Sequence, residues 1–295
     1  MKVVLTGSSS GIGAALADRL LRRGHSVWGL ARTAGAAAPA SPSVPAASKP
    51  PTLQSNGRSD PFAANLASKQ RRDTAIDVSS WDQVQAAAAE VGRSWGTVDA
   101  LVTCAAIQGE IGPTLRADPA GWARTVEVDL MGTFYAVRAF AALLRPGEGR
   151  RAKVVCFSGG GATKPRPHFS AYGAAKTAVV RLVETIAAEE RESPLDINAV
   201  APGAINTRLT DEVIAKGPEA AGAAEHAAAL KQKASGGGSL ERALDLVEWL
   251  LSPASDRITG RLLSAPWDPW DDLQALRPRL ELPDDDLYTL RRNTR

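Results

Sequence analysis

The chain has 295 residues, 23% charged and 44% hydrophobic, with a formal net charge of +3. That length supports a sizeable core in one large domain or two small ones, and so small a charge leaves no footprint for a nucleic-acid or membrane partner. Two cysteines, Cys104 and Cys156, make no disulfide framework, and Met1 leads straight into "KVVLTG" without a basic-then-apolar leader. Both features predict a cytoplasmic protein, and no apolar run approaches the ~18 residues of a membrane span.

Lys2–Thr6 is a short apolar run and predicts the first strand. A Gly/Ser turn follows, "GSSSGIG", in which Gly7, Gly11 and Gly13 are spaced G-x-x-x-G-x-G before a helical pattern over Gly13–Arg23. Glycine lets the backbone turn tightly and lets a pyrophosphate approach without a Cβ in the way. The unpaired N–H groups and dipole of the following helix favour that anion. A glycine triplet is a weak signal alone and a strong one at the first strand–helix junction of an α/β chain. Strand two is expected at Ser26–Leu30. The position that ordinarily carries an acid for the ribose hydroxyls of NAD holds Ala31, with Arg32 after it. A guanidinium suits a 2′-phosphate, so NADP is expected over NAD.

Between Ala34 and Gln70, 22 of 37 residues are Ala, Pro or Ser and no hydrophobic period survives. This predicts a surface insertion, with a lid over the cofactor as the functional alternative. Strands are then expected at Thr74–Asp77, Ala100–Thr103, Lys153–Phe157, Asp196–Val200 and Arg261–Ser264. Helices are expected at Trp81–Trp95, Ala120–Leu144, Ala171–Arg191 and Leu240–Leu251, and the stretch Asp211–Gly238 also looks helical. The alternation predicts a parallel sheet with helices on both faces. The final stretch, 267–295, mixes Trp, Pro and charge and is expected either to dock on a partner subunit or to fray.

Within the apolar helix "SAYGAAKTAVV", Tyr172 and Lys176 stand four apart and share a face. A nearby cation stabilises a phenolate and lowers the pKa of a phenol from about 10. Such a pair can move a proton to or from a carbonyl or alcohol oxygen, while a nicotinamide exchanges hydride with the neighbouring carbon. Ser158, at the end of "KVVCFS", offers a hydroxyl to the same oxygen. His25, His168 and His226 have no metal spacing. Arg166 and His168, in the loop before Tyr172, are expected at the rim of the substrate pocket, as solvated charges or as contacts to an acidic or polyhydroxylated substrate. Trp267 and Trp270 are expected to anchor the tail by burial, or else to wall a pocket.

With these pieces in place the chain resembles the short-chain dehydrogenases/reductases. The matching segments are "TGSSSGIG" (Thr6–Gly13), "DV" (Asp77–Val78), "YGAAK" (Tyr172–Lys176), "NAVAPGAINT" (Asn198–Thr207) and "ITG" (Ile258–Gly260). The resemblance implies a Rossmann-type doubly wound parallel sheet of about seven strands, in a single catalytic domain over 1–266 with a tail over 267–295. It implies that Gly7, Ser9, Ser10, Gly11, Ile12 and Gly13 form the cofactor-binding loop, with Gly13 letting the helix lie close to the strand, and that Asp77 and Val78 meet the adenine. Cys104, Ala105 and Ala106 would line the cofactor, and Pro202, Gly203, Ile205 and Thr207 would hold the carboxamide. Tyr172 would be the acid/base, Lys176 would bind the nicotinamide ribose and tune Tyr172, and Ser158 would orient substrate. A small-molecule alcohol or ketone is the implied substrate. A homodimer or homotetramer is implied through the helices at Ala120–Leu144 and Ala171–Arg191.

Three departures stand out. The family's Asn-Asn-Ala-Gly reads Thr103-Cys104-Ala105-Ala106, which puts a methyl where glycine lets the cofactor come close. The usual catalytic asparagine is Asp129, in "VEVDLMGTF". Ser158 lies fourteen residues before Tyr172 where thirteen is usual, and Gly159 holds that place; a glycine bulge would absorb the difference. Asp129 beside Lys176 is expected to cancel part of the lysine's field and make Tyr172 titrate higher. The departures motivate a rival reading, a non-catalytic dinucleotide-binding regulator or scaffold with a degenerate site.

Overall fold

A computed structural model describes residues 1–33, 70–272, 276–282 and 284–291. The expected insertion therefore falls almost wholly outside the described residues, together with its lid reading. Seven parallel strands form one sheet in the order β3-β2-β1-β4-β5-β6-β7. They are β1 (Lys2–Thr6), β2 (Ser26–Ala31), β3 (Arg71–Ala75), β4 (Ala100–Thr103), β5 (Ala152–Phe157), β6 (Leu195–Ala201) and β7 (Leu262–Ser264). The chain order reverses direction across β1 and β4, and a crevice opens at the carboxyl ends of strands at such a switch point.

The helices divide between the two faces. Helices α1 (Gly11–Arg22) and α8 (Leu240–Leu251) cover one face, where Leu16 and Leu20 pack with Leu244, Val247 and Leu250. On the other face lie α2 (Trp81–Trp95), α4 (Gly132–Phe140) and α5 (Ser170–Glu189), where Val84, Val91, Phe140, Val179 and Val183 pack over Val4, Leu101 and Val154. Central strands buried on both sides explain the continuous apolar runs of the sequence.

Two expectations shift. The third strand runs Arg71–Ala75, earlier than expected, because it is the sheet's edge and only half-buried. Its polar "RRDTA" therefore carries no apolar run to read. The helix expected over Ala120–Leu144 is instead α3 (Pro119–Val126), a π-helical turn at Glu127–Met131, and α4. One extra residue in that turn re-aims the side chains, and Asp129 points into the interior. The Asp211–Gly238 stretch forms two helices, α6 (Arg208–Ala221) and α7 (Ala223–Ser235), and α6 kinks at Gly217–Pro218.

The described tail residues dock on their own chain, including the short α9 (Arg277–Leu280). Buried Arg261 donates to the carbonyls of Leu280 (3.1 Å), Leu282 (2.6 Å), Asp285 and Leu287 (2.9 Å). Leu262 N donates to Tyr288 O at 2.8 Å, and Leu290 N to Glu184 Oε1 at 2.6 Å. Burial pulls the Arg261 guanidinium below its ordinary pKa. Replacing Arg261 by Leu strands these carbonyls and that of Arg279, and the expected loss is on the order of 3 kcal/mol. Chemical denaturation should show that loss, and limited proteolysis should cut the variant's tail first. Equal stability and equal cleavage would show that the tail is held without the Arg261 bonds.

Candidate active site

Two clefts open along the carboxyl edge of the sheet. The first, about 410 Å³, is lined by the glycine loop (Gly7, Ser9, Ser10, Gly11, Ile12), by Ala31 at the end of β2 and Arg32 after it, by Asp77 and Val78, by Cys104–Ile107 after β4, and by Arg124, Thr207 and Arg208. The second, about 660 Å³, contains Ser158, Gly159, Tyr172, Pro202, Gly203, Ile205 and Thr207. Ile12, Thr207 and Leu209 line both, so the two form one continuous groove.

The geometry of the first cleft suits an extended dinucleotide. Gly7 and Gly11 have φ of 73° and 56°, where a side chain is strained. A Cβ on Gly7 would stand 2.7 Å from Ala105 N. A Cβ on Gly13 would overlap Gly7 O, so Gly13 serves the packing of α1 on β1 and does not line the cleft. Ser10 begins α1 without a side-chain cap, which leaves the helix's first N–H groups facing the cleft. Ala106 lines the wall with its methyl. Cys104 is partly exposed, but the packing around it pushes its thiol up to about 12, so it is no reactive nucleophile.

Sequence reasoning missed the guanidinium that tops this cleft. Arg124, from α3, donates to Asp77 Oδ2 at 2.6 Å, while Ser79 N and Oγ donate to Asp77 Oδ1 at 3.0 and 2.7 Å. Burial opposes it, but the bonds from Ser79 and Arg124 hold the Asp77 carboxyl below its ordinary range. Arg124 lies 47 residues from Asp77 in the chain, and no local pattern links them.

In the second cleft α5 presents Tyr172 at the wall. Lys176 is fully enclosed, with Nζ 3.3 Å from Asp129 Oδ2, 3.3 Å from Phe157 O and 5.5 Å from the centre of the Tyr172 ring. Asp129 Oδ1 accepts from Ile107 N at 3.0 Å. Neither Lys176 nor Asp129 lines a cleft, so both sit behind Tyr172. Burial raises the Tyr172 phenol; Lys176 opposes that rise and Asp129 adds to it. Burial pushes the Lys176 ammonium down, but Asp129 and Tyr172 outweigh it and hold its pKa up. Burial likewise raises the Asp129 carboxyl against the pull of Lys176.

Ser158 takes up an arrangement other than the expected bulge. It directly follows β5, its N–H bonds Val200 O at 2.8 Å, and its hydroxyl donates to Lys176 O at 3.3 Å. The residue projecting at the Tyr172 hydroxyl is Gly159, where an added Cβ would overlap that oxygen. Arg166 lines the second cleft, ion-paired with Glu225 at 2.8 Å and stacked 3.8 Å over Phe169. His168 turns away, with φ 72° and Nδ1 at 2.7 Å from Ala220 O. Trp270 is buried beside Trp249, as a tail anchor should be, whereas Trp267 stands at the mouth of the second cleft, 85% exposed. Among the described residues no His/Cys/Asp/Glu group is placed to hold a metal, and no helix is long and apolar enough to cross a membrane.

Known proteins agree with this architecture. The short chain dehydrogenase mpl6 of Monascus purpureus is 33% identical over 193 residues, 65% of this chain and 60% of that protein's length. A 3beta-hydroxysteroid dehydrogenase of Eggerthella lenta is 29% identical over 265 residues, covering 88% of this chain and 90% of its own. Among solved structures, levodione reductase (24% identity, 89% of this chain and 95% of its own) and NAD+-bound xylitol dehydrogenase (21%, 89% and 96%) each superpose with a TM-score of 0.70, which bears on the fold alone. A family model described as enoyl-(acyl carrier protein) reductase matches residues 51–265. With that match over most of its length and relatives of this one kind, the chain belongs to the short-chain dehydrogenase/reductase family.

Proposed function

We propose that the protein interconverts a secondary alcohol and a ketone with NADP(H), using Tyr172 as the acid/base. The observation that carries this reading is the Tyr172 hydroxyl facing the second cleft with the buried Lys176–Asp129 pair directly behind it. A pure binding protein has no use for a buried cation beside a phenol at a cleft wall. The cofactor would lie along the groove, its pyrophosphate at the glycine loop and α1, its adenine near Asp77 and Val78, and its carboxamide near Pro202, Gly203, Ile205 and Thr207. When bound, it would supply or accept the hydride.

The residues of the chain handle the proton. In reduction the Tyr172 Oη–H donates to the ketone oxygen, and in oxidation the phenolate takes the alcohol's proton. Lys176 stabilises the phenolate through space. The Ser158 hydroxyl lines the same cleft, 3.3 Å from Lys176 O, and can rotate to bond the substrate oxygen. Arg32, directly after β2, with Ala31 where an acid would stand, favours a 2′-phosphate. A homo-oligomer through α3, α4 and α5 fits the exposed Phe134 on α4.

The second reading, a regulator that binds the dinucleotide without turnover, is favoured by one feature: Gly159 beside Tyr172 offers no hydroxyl. Turnover separates the two. Wild type should reduce members of a ketone panel with NADPH, and Tyr172→Phe should lose on the order of 10²–10⁴-fold in kcat. NADPH binding without turnover in either protein would favour the regulator. Arg32→Ala should narrow the ratio of kcat/KM for NADPH over NADH by about 10-fold or more, as expected for losing a charge-assisted phosphate contact. A preference for NADH in the wild type would remove the cofactor assignment.

Asp129 gives the pH dependence its sign. Its charge raises the Tyr172 pKa, and oxidation needs the phenolate, so the rate climbs with pH through that pKa. Asp129→Asn removes the charge, lowers the Tyr172 pKa, and should move the climb to lower pH. A pH–rate profile the same as wild type would show that Asp129 does not act on the phenol.

A further inference from the structure

The glycine loop is held from beneath by side chains that do not line the cleft. Ser8 is buried, between Gly7 and Ser9, which both line it. Arg71, the first residue of β3, donates from Nη2 to Ser8 O at 3.3 Å, from Nη1 to Asp18 Oδ1 at 3.1 Å and from Nε to Asp73 Oδ2 at 2.9 Å. The same Nη2 reaches Asp73 Oδ1 at 3.4 Å. One planar guanidinium thus ties together the sheet's edge strand, α1 and the loop between β1 and α1, which its fixed fork of donors allows. Gly29 clears the space for this meeting: a Cβ there would stand 2.4 Å from Ser8 Oγ and 2.3 Å from Asp73 Oδ1.

An ion pair at a sheet edge needs only the two carboxylates. The bond to the loop carbonyl matters because of the direction it fixes. The Ser8–Ser9 peptide is trans, so the Ser8 C=O and the Ser9 N–H project to opposite sides. Ser8 O faces a guanidinium that lines neither cleft, while Ser9 lines the first. Holding the carbonyl on one side holds the N–H on the other, where an anion can accept from it. The flanking glycines give this loop more backbone freedom than ordinary residues would, so a preorganised anion site needs such a tether.

We propose that Arg71 is a positioning residue for the cofactor: it pins Ser8 O and so presents Ser9 N–H to the pyrophosphate of the dinucleotide. This rests on the dinucleotide part of the proposed function and adds a residue that does not itself touch the ligand. The pyrophosphate is common to NADPH and NADH, so Arg71 serves both alike. Arg32 differs, because its partner is the 2′-phosphate.

The test measures binding directly, by tryptophan fluorescence or calorimetry, with NADPH, NADH and adenosine 2′-monophosphate, which carries the 2′-phosphate but no pyrophosphate. Arg71→Leu removes every bond of the tether. Arg71→Lys keeps a charge between Asp18 and Asp73 but has no fork to span three partners. Arg71→Leu should raise Kd for both dinucleotides by similar factors, on the order of 10-fold, and Arg71→Lys should do so by a smaller factor. Binding of adenosine 2′-monophosphate should stay near that of wild type, and KM for NADPH should rise while kcat holds. Melting curves check folding, and Arg71→Lys carries the test if Arg71→Leu does not fold. Unchanged dinucleotide binding in the folded variant, a loss confined to NADPH, or an equal loss for adenosine 2′-monophosphate overturns the inference and leaves the oxidoreductase reading intact. A wild type that binds neither dinucleotide removes the cofactor reading and this inference together.

Discussion

Lys176 and Asp129 face each other at 3.3 Å in the interior, neither reaching solvent nor lining a cleft. Two charges taken out of water carry a large desolvation penalty, repaid only when the geometry is good and the remaining atoms are bonded. Here Phe157 O takes a bond from the ammonium, and Ile107 N gives one to the carboxylate. The pair therefore joins α5, the π-helical turn, the end of β5 and the segment after β4 at one point. Everything proposed for the second cleft depends on it, because it fixes both the position of Tyr172 and the field in which its hydroxyl titrates.

That field is divided. Burial drives the phenol up, the lysine pulls it down, and the aspartate restores part of the rise. An uncharged residue at 129 would leave the lysine's field undiluted, whereas the carboxylate also holds the lysine charged. The arrangement favours the charged form of Lys176 at the expense of a less acidic phenol. The loss of a side chain at Gly159 matters in the same place, since the phenolic oxygen occupies room that a Cβ would need.

Much was legible in the chain because it depends on short-range spacing. The glycine loop, the i,i+4 relation of Tyr172 and Lys176, and the alternation of apolar runs with helical periods each fall within a few residues, and each carries its own physical reason. The edge strand was expected at Thr74–Asp77 and runs Arg71–Ala75, because a half-buried edge has no apolar run to mark its start. The π-helical turn escaped because one residue inserted in a helix leaves the apolar period nearly intact while rotating Asp129 inward.

By itself, then, the sequence determined the parallel sheet, the glycine loop and the Tyr/Lys pair, because hydrophobic period, glycine and helical spacing act locally. Tertiary structure alone decided which groups meet across long separations: Arg124 over Asp77, Glu212 on the backbone of Gln108, Arg261 under the tail, and Gly159 in place of Ser158 opposite the phenol. Those meetings follow from how strands register and helices pack. A shift of one residue reverses the direction in which a strand-end side chain points, and no neighbour in the chain records that choice.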